Sequence, residues 1–332
     1  MYFKKRDNAL VMPRKSRVEY EGAIYHVMNR GDRKDPIFVD RRDRECFLAT
    51  LADVCGKTGW QVHAYCLMDN HFHLVVETPR ANLVAGMRWF LGTYTSRFNR
   101  RHGFYGHVFS GRYKSLLVEG SGTGYLKSVC DYVHLNPVRA KLLQAREPLA
   151  EYRWSSWPEY LKGPGQRPAW LRVDRLLGEW GIRADNAAGR RQLETGLEQR
   201  RKLELSQLTG EWKRLRRGWC WGSSAFREEL LEIIAAKQGQ QHYGEELAES
   251  DQHKAERLVE KMLRENGWTA VDLERRRKGD PKKARMAARL RAETTMTWEW
   301  IAQRLGMGHW RTAANATRAL LSEQKRKREG EV

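Results

Sequence analysis

The residues best suited to chemistry are two histidines that flank a phenylalanine, His71-Phe72-His73. Alternating residue character around them predicts a β-strand over residues 72–77. Because successive side chains of a strand point to opposite faces, the two imidazoles share one face and Phe72 points to the other. Imidazoles at this spacing can bind one divalent cation, with oxygen ligands or water completing the shell. The pair is also typical of ordinary surface or core histidines, so a metal site needs further ligands.

A helix predicted over residues 123–136, stopped by Pro137, supplies them. Tyr132 and Asn136 lie one turn apart on it, at positions i and i+4. Asn136 offers a carbonyl oxygen that suits Mg²⁺ or Mn²⁺, and Tyr132 offers a phenol that can attack phosphorus. Two alternatives stay open: both residues could be structural, or Tyr125 on the same side could be the nucleophile.

The elements that must position these residues follow from periodicity and capping signals. Strands are predicted over residues 23–29, 61–67, 72–77 and 113–118. Helices are predicted from the Asp40 cap to Thr58, over residues 83–101 and over residues 123–136. The order β-α-β-β-α-β-α predicts an α+β fold, in which helices pack on a small antiparallel sheet.

The chain is predicted to contain three segments. The first domain, residues 12–160, ends at the stretch WSSWPEY, and a basic helical region without an assigned role follows over residues 161–280. Residues 281–328 resemble a helix-turn-helix: Thr297 caps a short helix, glycines form a turn, and a basic helix begins at Trp310. Its DNA-facing residues would be Arg311, Asn315 and Arg318; a plain helical hairpin is the alternative.

Composition favours a nucleic acid partner. Among 332 residues, 61 Lys and Arg oppose 41 Asp and Glu, which gives a formal net charge of +20. The five cysteines form no C-x-x-C pair and favour reduced thiols in a cytoplasm over a disulfide framework. The N-terminal residues have no signal-peptide character, no apolar run is long enough to span a membrane, and Met12 is a candidate start.

Four stretches occur in the order IYHVMNRG, NHFHLVVETP, GRYKSLLVE and DYVHLNPVRAKL. Together they resemble the single-tyrosine HUH transposases of the IS200-like family, and more narrowly the REP-associated tyrosine transposases. The resemblance covers residues 12–160 and implies an HUH/RRM-like fold. It implies that His71 and His73 hold Mg²⁺ or Mn²⁺, that Asn136 supplies the third ligand, and that Tyr132 is the nucleophile.

The resemblance also implies an activity: cutting and rejoining single-stranded DNA beside hairpin repeats through a 5′-phosphotyrosine, in the bacterial nucleoid. Both dimers and monomers occur among such proteins, so a homodimer stays open. A non-catalytic DNA-binding protein on the same scaffold is one alternative. A replication-initiating HUH endonuclease is another, against which the NPVRA segment argues.

Cations and aromatic residues near the long second helix indicate where DNA would lie. Arg112 and Lys114 occupy alternate positions of a strand and share a face, which favours contact with phosphate. Arg88 and Arg97 on the helix are further candidates. The aromatic residues Trp89 and Tyr113 could stack on unpaired bases, although core packing is equally expected for Trp89.

Overall fold

The computed structural model describes residues 17–144, 146–206, 218–238 and 245–329; Met12 lies outside these residues. The strands are β1 Ala23–Arg30, β2 Gln61–Leu67, β3 His71–Thr78, β4 Lys114–Val118 and β5 Cys220–Trp221. The helices are α1 Arg41–Thr58, α2 Leu83–His102, α3 Tyr125–His134, α4 Asn136–Arg139, α5 Trp157–Tyr160, α6 Asp174–Glu179, α7 Ala187–Ser206, α8 Ser224–Gln238, α9 Glu245–Asn266, α10 Ala270–Arg275, α11 Pro281–Glu293, α12 Trp298–Arg304 and α13 Trp310–Glu329. Short 3₁₀ helices lie at Asp32–Lys34, Leu149–Glu151 and Pro164–Gln166.

The strands form one sheet in the order β2-β3-β1-β4-β5. The predicted four strands pair antiparallel, but β5 pairs parallel to β4, so the sheet is mixed and not antiparallel throughout. β5 lies within residues 161–280, for which the sequence predicts only helices. Backbone donors at the edge of β4 require partners: Leu117 N–H donates to Trp219 O and Glu119 N–H donates to Trp221 O.

Helices cover both faces of the sheet, and the α+β class is confirmed. On one face, the rings of Phe47 in α1 and Phe90 in α2 pack at 4.8 Å between centroids, and Phe47 meets Phe72 of β3 at 5.0 Å. Because Phe72 alternates with His71 and His73, the histidines point to the opposite face. There α3 packs against β2, β3 and β4.

The helix boundaries follow local capping chemistry. Asp40 caps α1 as predicted: its side chain accepts from Asp43 N–H, and the Asp43 side chain accepts in return. The helix predicted over residues 123–136 divides into α3 and α4. Pro137 lies in the first turn of α4 and does not end a helix. The backbone N–H groups of a first turn have no acceptor within the helix, so a proline, which lacks this group, is tolerated there.

Two hydrophobic cores organise the described residues. The first surrounds the sheet and continues past residue 160 through Leu171, Leu193 and Leu230. The second lies among α9 to α13, from Ala255 to Ala313, so helices that precede residue 281 pack with the predicted helix-turn-helix. Among the described residues, no helix is both long and apolar enough to cross a membrane.

A buried lysine joins the two cores. Lys57, at the end of α1, donates from Nζ to the carbonyls of Arg291 and Ala292 at the end of α11. Lys254 of α9 donates in turn to Lys57 O at 2.7 Å. A cation at a helix C-terminus is favourable because the last carbonyls have no partner within the helix. The C-terminal helices therefore dock on the α1–α2 side of the sheet.

Candidate active site

The histidine pair lies at one end of β3, under α3. The rings of His71 and His73 are 5.2 Å apart between centroids. In β1, Arg30 lies directly opposite His71 and Met28 lies opposite His73. His73 is buried, whereas His71 is partly exposed. The two imidazoles therefore share a face, as the alternation of the strand predicts, with one of them open to solvent.

Both imidazoles are oriented by a hydrogen bond at the same ring nitrogen, Nδ1. His71 Nδ1 lies 2.8 Å from Asn70 Oδ1, and His73 Nδ1 lies 3.0 Å from Nε2 of the fully buried His26. With Nδ1 engaged, Nε2 is the nitrogen through which each ring could bind a cation. Burial and nearby Arg30 lower the pKa of His71 to about 4, so its imidazole is neutral at pH 7 and able to act as a ligand.

The phenol of Tyr132 lies beside these histidines. Its ring is 5.7 Å from the ring of His73 and 5.6 Å from that of His26, and the side chain is buried. Tyr125, the rival nucleophile, starts α3 and packs edge-on against Trp221 of β5 at 5.8 Å. The structure thus brings Tyr132, and not Tyr125, into contact with the histidine pair.

Asn136 lies one turn after Tyr132 and is buried. Its Nδ2 has no hydrogen-bond partner. Because amide oxygen and nitrogen exchange places by a rotation of the side chain, a ligand oxygen could occupy that position. Among the described residues, no group of three His, Cys, Asp or Glu side chains could hold a metal ion. Imidazoles and an amide oxygen are donors of a kind that divalent cations accept.

Charged side chains fix α3 over the histidines. The Arg139 guanidinium lies 4.2 Å from the centre of the Tyr132 ring and donates to Tyr132 O. The neighbouring Asp131 carboxylate is buried and accepts from Arg200 of α7 at 2.7 Å and from Lys127 at 3.3 Å. The region after residue 160 therefore contributes to positioning the nucleophile candidate.

The predicted DNA contacts fall into two groups. Lys114 starts β4 opposite Met28 and so shares the histidine face; Arg112 precedes it, and both are exposed. The structure does not bring Arg88 and Arg97 to this face, because α2 lies on the other side of the sheet, and Arg97 pairs with Asp53. Both expected stacking residues are engaged elsewhere: Tyr113 is buried beneath Arg17, and Lys57 lies 4.9 Å from the ring of Trp89.

The predicted helix-turn-helix forms two helices joined by a turn. Thr297 caps α12 by accepting from Trp300 N–H, and Gly306 in the turn has a φ of 59°. A Cβ on Gly306 would lie 2.6 Å from Leu273 O, so the turn requires glycine. Along α13, Arg311, Asn315 and Arg318 are exposed on one side.

Sequence reasoning missed three residues of the site: His26, Asn70 and Arg30. His26 lies within the IYHVMNRG stretch, and Asn70 directly precedes the histidine pair. Their roles depend on strand register, since His26 reaches His73 diagonally across two paired strands. The signal available was the alternation of His26, Met28 and Arg30 on one face of β1.

The histidine pair and the buried Tyr132 thus lie together on the face of the sheet that α3 covers. The family model described as "Transposase IS200 like" matches residues 19–136. This part of the chain is similar to the IS200-like transposase family.

A solved structure of a REP-associated tyrosine transposase bound to a REP hairpin is 14% identical, with a TM-score of 0.38. That similarity covers 49% of this chain and 93% of the other. No curated protein matches the chain.

Proposed function

We propose that this protein is a transposase that cleaves and rejoins single-stranded DNA beside REP-like hairpins, with Tyr132 as its nucleophile. The observation that carries the proposal is the contact of the Tyr132 ring with His73, whose Nδ1 is bonded to His26. A phenol placed beside this histidine pair suits phosphoryl transfer, because the neutral His71 imidazole can bind a cation without competing with a proton.

In the first step Tyr132 Oη attacks the scissile phosphorus in line. The phenolic proton leaves to water, the P–O3′ bond breaks, and the departing 3′ oxygen takes up a proton. The products are a 5′-phosphotyrosine and a free 3′-hydroxyl, and attack by a 3′-hydroxyl reverses the step and rejoins DNA. Mg²⁺ or Mn²⁺ held by His71, His73 and Asn136 would supply polarisation of the phosphate and stabilise its developing charge.

The chain's own residues hold the reactants. Arg139 restrains Tyr132 from behind its ring, and the exposed Arg30 and Lys114 on the histidine face are placed to contact the DNA backbone. Because the bond energy is retained in the phosphotyrosine, rejoining requires no nucleotide cofactor. Arg311 and Arg318 of α13 would contact duplex DNA, such as the stem of the hairpin.

The second candidate function is DNA binding without catalysis on the same scaffold. The histidine pair argues against it, since a binding protein has no need for two imidazoles and a phenol in one place. The two functions differ in their metal dependence: hairpin binding by a non-catalytic protein survives EDTA, whereas cleavage does not.

The experiment is cleavage of labelled single-stranded hairpin DNA, taken from repeats that flank the gene, with Mn²⁺ or Mg²⁺. Denaturing gels would be examined for a covalent protein–DNA band in wild type, Tyr132→Phe, Tyr125→Phe and His71→Ala. We expect the band in wild type and Tyr125→Phe and its loss in the other two. A band that persists in Tyr132→Phe would overturn the assignment of the nucleophile. If no hairpin gives a band while EDTA-resistant binding persists, the non-catalytic function is supported.

A further inference from the structure

The segment between α2 and β4, residues 103–113, presents two adjacent aromatic side chains to solvent. Tyr105 is 98% exposed and Phe104 is 54% exposed, whereas Phe109 and Tyr113 of the same segment are buried. We call this segment the aromatic loop. Its sequence, GFYGHVFSGRY, places three glycines and a histidine among the aromatic residues. Neither the candidate active site nor the predicted DNA contacts explain why the tip of the loop exposes two rings side by side.

Hydrogen bonds hold the aromatic loop at both ends. At its start, Phe104 N–H donates to Asn99 O and Asn99 Nδ2 donates to Gly106 O, each at 2.9 Å. The Phe104 ring also stacks on His102, with 5.5 Å between centroids and 23° between planes. The Phe104 ring and the backbone on both sides of Tyr105 are thus held before any ligand binds, which reduces the entropy lost on binding.

The far end of the loop is bonded to the end of β1 that carries the active site. Ser110 N–H donates to Arg30 O at 2.8 Å, and Asp32 N–H donates to Val108 O at 3.0 Å. Arg30 is the residue directly opposite His71. The aromatic loop therefore borders the end of the sheet at which the partly exposed histidine opens to solvent.

Unpaired cations lie within or next to the aromatic loop and the end of β1. Five exposed basic side chains form no ion pair within the described part of the chain; they are Arg30, Arg33, Lys34, Arg100 and Arg112. The carboxylates of Asp32 and Asp35 share the turn after β1, so the basic side chains are in excess. Excess cations beside exposed rings suit a ligand that has both phosphates and unstacked bases.

We propose that the aromatic loop binds unpaired bases of the DNA strand that flanks the cleavage position, with Tyr105 and Phe104 stacking on them. This proposal rests on the proposed function for the location of the strand. Double-stranded DNA does not fit the same surface, because its bases are already stacked and expose only their edges. Stacking on an aromatic side chain needs a base face, which single strands offer whatever their sequence.

The test measures binding of the full chain to oligonucleotides by fluorescence anisotropy, in a Tyr132→Phe background so that no cleavage occurs. The probe is the single-stranded flank of the hairpin, and an isolated hairpin stem serves as the duplex probe. We expect Tyr105→Ala to weaken single-strand binding by about 5- to 150-fold, the range for one stacked base, and to leave stem binding unchanged. Tyr105→Phe, which keeps the ring, is expected to bind like its parent. Leu231→Ala removes another exposed apolar side chain, outside the loop, and is the matched control.

A scan of abasic positions along the flank then locates the stacked base. An abasic position that weakens the parent, but weakens Tyr105→Ala no further, supports direct stacking. Unchanged single-strand binding in Tyr105→Ala, or a loss in Tyr105→Phe as large as in Tyr105→Ala, would overturn the proposal. An equal loss on the stem probe would overturn it as well. These outcomes are independent of the covalent band, so the proposed function and the stacking role can fail separately.

Discussion

Replacing His26 by phenylalanine tests whether this buried histidine positions His73, the proposed metal ligand. His26 is fully buried, and its Nε2 lies 3.0 Å from Nδ1 of His73. For His73 to offer Nε2 to a cation, its Nδ1 must carry the proton and donate it to His26. Phenylalanine keeps an aromatic ring against Tyr132 and His73 but provides no acceptor. The Nδ1–H of His73 would then lose the acceptor that holds its ring and tautomer.

The expected magnitude follows from two independent considerations. Removal of the partner of a metal-bound histidine typically costs 10- to 100-fold in metal affinity or activity, about 1.4–2.7 kcal/mol. A buried donor left without an acceptor costs about 1–3 kcal/mol, which is the same range. We therefore expect the Mn²⁺ concentration for half-maximal cleavage to rise about 10- to 100-fold in His26→Phe.

The assay is the single-turnover rate of covalent band formation, measured against Mn²⁺ concentration. His134→Phe is the matched control, because His134 is also a buried histidine but bonds to Ser156 Oγ at 2.8 Å. A positioning role predicts that saturating Mn²⁺ restores much of the rate in His26→Phe and that His134→Phe keeps the wild-type Mn²⁺ dependence. If His26→Phe has the wild-type half-saturation, or if the control shifts equally, the reasoning is refuted.

Three further predictions concern assembly, pH and docking. Mixing Tyr132→Phe with His71→Ala should not restore cleavage, because Tyr132 contacts His73 of its own chain; recovered cleavage would indicate a site shared between subunits. Burial raises the pKa of Glu77, but hydrogen bonds from His63 and Arg175 outweigh it and lower that pKa from 4.5 to about 2. The ionised carboxylate thus stabilises the fold above pH 4.5 by roughly 3 kcal/mol, and this contribution is lost as pH falls toward 2. The difference in unfolding midpoint between wild type and Glu77→Gln should therefore shrink between pH 4.5 and pH 2 and stay constant above pH 4.5. Lys57→Met leaves the carbonyls of Arg291 and Ala292 without their donor, which should cost about 1–3 kcal/mol and speed hydrogen exchange in α11; unchanged exchange would argue against a docking role.

The elements around the active site could be predicted from the sequence because each carries a local signal. Alternation located β2 at residues 61–67, as observed, and the Asp40 cap located the start of α1. The shared face of His71 and His73 follows from the pleat of one strand and needs no tertiary information. The pairing of Tyr132 with that face, rather than Tyr125, required α3 to be placed on the sheet.

What the sequence could not predict depends on contacts between distant segments. The strand β5 has two residues and no periodicity, and it forms because β4 leaves backbone donors at an edge. Arg97 and Tyr113 have suitable chemistry for binding DNA, but Arg97 pairs with Asp53 and Tyr113 is covered by Arg17. Conversely, Tyr105 lies in no motif, and it becomes a candidate ligand contact only through its exposure on a loop whose far end is bonded to Arg30.

The positions of the two cores constrain the path of a bound hairpin. The C-terminal helices dock on the α1–α2 side through Lys57, whereas the histidine pair faces α3. Under the proposed function, a strand that leaves a stem held by α13 would therefore pass around the sheet to reach Tyr132. Both sheet edges carry backbone pairing: β5 lines β4, and Trp154 and Trp170 carbonyls accept from β2.

The remaining route crosses an end of the sheet, and the end near His71 carries Arg30 and the aromatic loop. On this path Arg30→Ala should weaken binding of a stem with its single-stranded flank more than binding of the stem alone. Equal weakening of both probes would contradict the path, because a phosphate contact confined to the flank cannot act on a probe that lacks it.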